Sequence, residues 1–156
     1  MAIYMQCKGK ISGLMKGSVT TAGFEDWIDV TTFHWSFSGS KQEGGDPTAG
    51  EVVITKHADR ASTLMIQSGL TNEVLTDVTF KFTTTMKDKV GVFTTYTLSN
   101  AHFTKYEVTA QADDRSIEMF HVAFQKIQQT YTPIDSRLTG ISPTSVTHDL
   151  QSGKTL

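Results

Sequence analysis

Glu73–Met86 reads EVLTDVTFKFTTTM, with apolar Val74, Val78, Phe80, Phe82 and Met86 at even positions and polar Asp77, Thr79, Lys81, Thr83 and Thr85 between them. Strand side chains point alternately to opposite faces, so this period of two predicts a long β-strand. One of its faces is buried and the other is wet or open to a partner. Beyond it, Lys87-Asp88-Lys89 is a short polar turn, and Val90–Val108 is again dense in Thr, Val, Phe and Tyr, which makes the pair a hairpin. After the turn Asp113-Asp114-Arg115, a third run from Ser116 to Thr132 extends the prediction to a three-stranded meander. In the second run Val92, Tyr96 and Leu98 share one parity, while Ala101, Phe103 and Lys105 have the other, which predicts a β-bulge near Ser99-Asn100.

On the N-terminal side, Ala2–Lys8 alternates Ile3, Met5 and Cys7 against Tyr4, Gln6 and Lys8 and reads as a first strand. Lys10–Gly23 reads as loop with at most a short strand. WIDVTTFHWSFS, from Trp27 to Ser38, predicts a strand pair or one bent strand, with Trp35 and Phe37 on one face. Gly39–Gly50, GSKQEGGDPTAG, has four glycines and one proline in twelve residues. A loop of that length inside a compact domain is uncommon unless it has a role, because its ordering entropy is offset by no buried side chain. Strand composition resumes over Glu51–Lys56. His57–Gly69, HADRASTLMIQSG, is the helix signal: Asp59 or Ser62 is placed to cap it, Leu64, Met65 and Ile66 supply its apolar stripe, and Gly69 is placed for its left-handed terminus. From Pro133 onward the chain reads as a polar tail.

At 156 residues the chain is one domain, 1–156, whose folding buries roughly two-thirds of its surface. With 14 basic and 16 acidic side chains the net charge is −2, which supplies no field to attract nucleic acid or anionic lipid. No 18-residue apolar run predicts membrane insertion, and MAIYMQCKGK lacks the charge-then-apolar pattern of a signal peptide. The single cysteine, Cys7, reads as a small core residue.

The five histidines, His34, His57, His102, His121 and His148, stand singly, without the spacing or cysteine pairs of a metal site, so neither metal nor cofactor is expected. His102 and His121 fall on strands expected to be neighbours, but strand histidines are more often structural. Ser152-Gly153-Lys154-Thr155 ends like a phosphate-binding loop, yet His148 stands where the first glycine is needed and no helix follows. Asp113-Asp114 sits in a solvated turn. No nucleophile, base and orienting group can be assembled, so the chain is not expected to be an enzyme. Residue types and spacing stop at a mainly β domain with one helix and a long glycine-rich loop.

The ordered features resemble the Hcp family, the tube protein of the bacterial type VI secretion system. The residues that carry the resemblance are Trp27-Ile28-Asp29-Val30, His34-Trp35-Ser36-Phe37, Ala49-Gly50-Glu51-Val52, Ile54-Thr55-Lys56, Asp59-Arg60-Ala61-Ser62-Thr63-Leu64, Val122-Ala123-Phe124-Gln125-Lys126-Ile127, Tyr131-Thr132-Pro133 and His148-Asp149-Leu150. The chain departs from the family at Glu43-Gly44-Gly45-Asp46-Pro47, where a longer glycine run is common, and at His148, where an aromatic residue is common. The resemblance implies a small β-barrel of two antiparallel sheets flanked by the helix. It further implies a homohexameric ring, stacking into a tube whose channel carries or chaperones effector proteins. The partners it implies are other copies of the chain, the tube-tip spike, the sheath and effectors, and the route it implies runs from bacterial cytoplasm to the extracellular space or a target cell. Within that frame Lys41, Gln42, Glu43, Gly44, Gly45 and Asp46 are expected at the junction between stacked rings, and Ser36 is expected to face the channel and its cargo. The alternative from the residues alone is a small ligand-binding barrel or small enzyme, its pocket lined by Trp27, Phe33, Trp35 and Phe37. Large rings on strands are more often core.

Overall fold

The computed structural model of the chain describes residues 1–39, 47–86, 88–134 and 142–156. Its strands are β1 (Ala2–Gly9), β2 (Gly13–Leu14), β3 (Ile28–Val30), β4 (Thr32–His34), β5 (Phe37–Ser38), β6 (Thr48–Ala49) and β7 (Val52–His57). Then follow the helix α1 (Ser62–Leu70), β8 (Leu75–Met86), β9 (Lys89–Thr109), β10 (Ile117–Ala123), β11 (Lys126–Tyr131) and β12 (Thr144–Asp149). Among the described residues ten strands form one antiparallel sheet along the path β2-β1-β8-β9-β10-β7-β4, with β3 on β1 and with β11 joining β9 to β12; β5 and β6 form a small separate sheet.

The ladder path does not by itself close the expected two-sheet barrel. The path is open, ending at β2 and β4, and a single strand serves both expected sheets. The 21-residue β9 pairs with β8 and β11 along its first half and with β10 along its second. At the junction Asn100 has a φ of 49°, a left-handed conformation that Asn tolerates. Leu98 is buried before it and Ala101 and Phe103 after it. The parity change read from the sequence is this turn of the backbone. The predicted third run divides in the same way into β10 and β11, which pair with different halves of β9.

The Glu73–Met86 stretch is a strand from Leu75 onward, paired along its length with β1 and β9. Val78 and Phe80 are buried as the alternation requires, but Val74 is exposed and Leu75 takes the core position. The β1–β8 ladder shifts register between Lys8 and Gly9, so Thr76 is the extra residue that exchanges the faces. A second shift opposite Phe82 and Thr83 makes Phe93 the extra residue on β9. It turns Val90 and Val92 toward a satellite cluster of Tyr4, Phe24 and Trp27 on the other side of the sheet. That cluster organises what read as featureless loop. Gly17 donates its N–H to Asp26 O, and a side chain on Gly17 would overlap the Trp27 carbonyl.

The helix starts after Ala61 without a side-chain cap, its first turn instead tied by the Asp59 carboxylate, which accepts from Ala61 N–H at 3.0 Å. Gly69 is not its left-handed terminus. It lies inside α1, 3.4 Å from Phe103 Cβ where its own Cβ would stand, and Asn72, with a φ of 56°, reverses the chain. The predicted polar tail contains β12, whose alternation is nearly all polar because the strand packs at the rim of the sheet, with Thr144, Ser145 and Val146 exposed.

Candidate functional site

Of the residues expected at a site, Lys41, Gln42, Glu43, Gly44, Gly45 and Asp46 lie outside the described residues. The stem that presents their loop is well defined. Phe37 pairs with Ala49 and Ser38 with Thr48, Gly50 N–H donates to Ser36 O at 2.8 Å, and Trp35 Nε1 donates to Gly50 O at 3.1 Å. Ser36 itself is exposed and its backbone closes the stem. The expectation that Trp27, Phe33, Trp35 and Phe37 line one pocket fails. Phe33 packs on Phe80, Phe82 and Tyr96 in the main core, and Trp27 sits in the satellite cluster with Lys81 Nζ 5.3 Å over its ring. Of these four, only Trp35 and Phe37 border an open groove of about 840 Å³, whose lining also includes Tyr96, Ile127, Val146 and Leu150.

Among the described residues the buried charged groups form two enclosed sites. In the first, the fully buried Lys56 ammonium contacts Glu118 Oε1 at 2.8 Å, Asp59 Oδ1 at 3.0 Å and Ser62 Oγ at 3.0 Å. Ser62 Oγ also donates to Glu118 Oε1 at 2.6 Å, and the Tyr106 hydroxyl donates to Glu118 Oε2 at 2.9 Å. Burial pushes the Glu118 carboxyl up, but the hydrogen bonds from Lys56, Ser62 and Tyr106 outweigh it and hold the group below its ordinary value. Tyr106 is pushed up to about 12 by burial, reinforced by its bond to the Glu118 carboxylate. This cluster joins β7, β9, β10 and the start of α1. It fixes the helix on the sheet and offers no open position to a substrate.

The second site is built on Glu73. Its carboxylate accepts from Ile11 N–H at 2.8 Å, Ser12 N–H at 2.7 Å and Ser12 Oγ at 2.8 Å, which ties the β1–β2 turn to the segment between α1 and β8. Burial pushes this carboxyl up as well, and the donors from Ser12 and Ile11, with a smaller contribution from the buried Ser68 hydroxyl of α1, bring it below the ordinary range. Gly9 has to be glycine here, since a side chain would overlap the carboxylate. Around the clamp, three apolar residues face outward: Ile11 is 87% exposed, Leu70 84% and Val74 40%. At the far end of β9 and β10, Val108, opposite Glu118, is 54% exposed, and Ile117, opposite Thr109 and so on the other face of the ladder, is 45% exposed.

Cys7 is a buried core residue whose thiol is pushed up, chiefly by burial. His102 and His121 do not pair: His102 faces Ala123 and His121 faces Lys105 across the ladder. Among the described residues no three His, Cys, Asp or Glu side chains are grouped to hold a metal ion, and no helix is long and apolar enough to cross a membrane. The sequence reading missed Lys56, Glu118 and Glu73. Lys56 follows buried Val52 and Ile54 at even parity, and Glu118 precedes buried Phe120 and Val122. A charge on the buried face of each of two strands was the available signal.

Residues 4–131 match the model of a protein family described as type VI secretion system effector, Hcp. Comparison with curated protein sequences gives no match. Among solved structures, a type six secretion system protein superposes with a TM-score of 0.83 at 19% identity, covering 99% of both chains. Hcp1 from E. coli superposes at 0.79 with 17% identity, covering 96% of this chain and 99% of its own. The secreted protein Hcp3 from Pseudomonas aeruginosa gives 0.75 with 23% identity over 95% and 97%. The similarity in fold thus extends past the matched 4–131 into the segment that carries β12.

Proposed function

The chain belongs to the Hcp family of the type VI secretion system, and from that membership we propose that it is the repeating subunit of a hexameric ring that stacks into the secretion tube. The ring is head-to-tail. The observation that supports this reading is that exposed apolar side chains stand at unlike places on the subunit: Ile11 with Leu70 and Val74 form a first patch, Val108 marks a second at the far end of β9, and Phe37, Tyr131, Val146 and Leu150 are exposed elsewhere. From Ala101, which pairs with Leu75 beside the first patch, to Val108 in the second, β9 advances seven residues, on the order of 20 Å at strand rise. Two different patches on one subunit suit a heterologous contact, in which each copy offers one patch to the neighbour on either side, and such contacts close into rings.

Closure of each subunit as a barrel is part of the same reading. Its support is that β3 pairs with β1 and β4 with β7, while Thr31 between them donates its N–H to Thr55 O at 2.8 Å. The segment from Ile28 to His34 bridges the two sides of the open path. The Gly39–Gly50 loop, with Lys41, Gln42, Glu43, Gly44, Gly45 and Asp46, reaches the next ring, and Ser36 at its stem faces the channel and cargo. Subunits assemble in the bacterial cytoplasm and leave with effectors through the sheath-driven apparatus, behind the tube-tip spike. The chain's part is structural, without catalysis or a bound cofactor.

Leu70→Glu tests the ring directly. Placed on the 84% exposed Leu70, the charge spares the fold, since surface substitutions usually change stability by no more than about 0.5 kcal/mol. In light scattering and electron microscopy the parent is expected as rings, and the variant as monomers with unchanged circular dichroism. Rings of normal size from the variant would remove this patch from the interface, and a parent that stays monomeric at high micromolar concentration would overturn the ring.

A further inference from the structure

The outer edge of β12 is occupied by the chain itself. Beyond Asp149 the backbone turns back, with Gly153 in a left-handed conformation at a φ of 70° and the Asp149 carboxylate accepting from Gln151 N–H at 2.9 Å and Ser152 N–H at 3.3 Å. The returning residues then pair with the strand they left. Thr147 and Leu156 exchange two hydrogen bonds of 2.7 Å, and Asp149 N–H donates to Lys154 O at 2.9 Å. His148 Nδ1 and Thr155 Oγ1 meet at 2.6 Å across the same pair. In an antiparallel ladder the backbone groups of every second residue point to the same side. The positions of β12 that point away from β11 are therefore Ser145, Thr147 and Asp149. Thr147 and Asp149 are bonded by the hook. Pro143, the next position of that parity, has no N–H to offer. Among the described residues only Ser145 has no backbone partner on that side.

We propose that Ser152–Leu156 is an edge guard, which prevents β12 from adding a strand of a second copy of this chain. An unguarded edge presents a row of unpaired N–H and C=O groups and is a template for strand addition, which folded proteins block with proline, charges or covering segments. Here a proline closes one end of the row and the hook closes the other. The occupant that the guard excludes is another β12. With the hook gone, Ser145, Thr147 and Asp149 carry free donors and acceptors on one strand, enough for an antiparallel pairing of two identical edges about a two-fold axis. This contact is isologous and uses neither apolar patch invoked for the ring.

The test compares the parent with a chain truncated after Gln151, at equal concentration, by sedimentation velocity and by amide hydrogen exchange. The baseline is the parent's own size, ring or monomer, so failure of the ring reading leaves the comparison intact. The truncated chain is expected to show a doubling of its basic unit, as two-fold pairing requires, together with slowed exchange at Ser145, while Thr147 keeps the protection that the hook gives it in the parent. Adding Ser145→Pro, which removes one outward N–H, is expected to restore the parent's distribution. The parent's size distribution in the truncated chain, or association that survives Ser145→Pro, would overturn the proposal. Should truncation cost the fold by circular dichroism, full-length Leu156→Pro, which lacks one of the two Thr147 hydrogen bonds, carries the same two outcomes.

Discussion

Glu118 and Glu73 are both buried, both held below the ordinary carboxylate range, and yet are compensated in different ways. Glu118 faces a buried ammonium, a hydroxyl and a phenol, all side chains from separate elements. Glu73 faces two backbone N–H groups and one hydroxyl from the Ile11–Ser12 turn, with the Ser68 hydroxyl of α1 as a minor neighbour and, among the described residues, no cation. The first arrangement is a mutual dependence of charges, in which each partner is stable only while the other is present. The second is a carboxylate solvated by fixed dipoles, which remain satisfiable by water if it is lost. The Glu118 cluster therefore holds the helix to the sheet strongly and at risk, whereas the Glu73 clamp positions a turn with a smaller stake.

The largest expected effect follows from Lys56→Met, which fills much of the same volume and leaves Glu118 buried without its cation. A loss of about 3–5 kcal/mol is expected in urea unfolding, the range for breaking a buried pair on one side. A loss below about 1 kcal/mol would place the cluster with exposed pairs and erase the distinction. Glu73→Gln is expected to cost less, about 1–3 kcal/mol, because the amide keeps an acceptor oxygen for the Ile11 and Ser12 donors but loses the charge. Exchange is expected to rise at Ile11 and Ser12 while the amides of α1 stay protected; loosening of α1 in this variant instead would contradict the separation of the two sites.

The smallest effect is in the pH dependence. Both carboxyls have folded values below the ordinary 4.5, so each contributes stability that is present above pH 4.5 and lost as pH falls through the folded value. Tyr106, raised to about 12, acts at the other end, its contribution intact below its ordinary value of 10 and lost as pH rises toward 12. Glu73→Gln should leave the alkaline limb unchanged and make the acid limb shallower without flattening it, since Glu118 still titrates. An acid limb equal to the parent's would mean that the Glu73 clamp is not linked to folding.

Local alternation determined much of this protein by sequence alone. The hairpin of β8 and β9, the first strand, β7, the helix between them and the parity change at Asn100 were all legible, because a strand's side-chain period and a turn's preferences depend on neighbours in the chain. So was the family, from short segments in order along the chain. Three things were decided only by the tertiary structure. The face exchanges at Thr76 and Phe93 depend on what lies across the ladder, so Leu75 displaced Val74 from the core although both are apolar. β12 escaped the reading because a rim strand with little to bury leaves no apolar period, and its partner β11 and the returning Lys154–Leu156 define it instead. The compensation of Lys56 and Glu118 joins residues 62 positions apart. A charge on an inward position announces that a partner must exist, but which residue supplies it is fixed by the packing of β7 against β10, and that is a property of the folded chain.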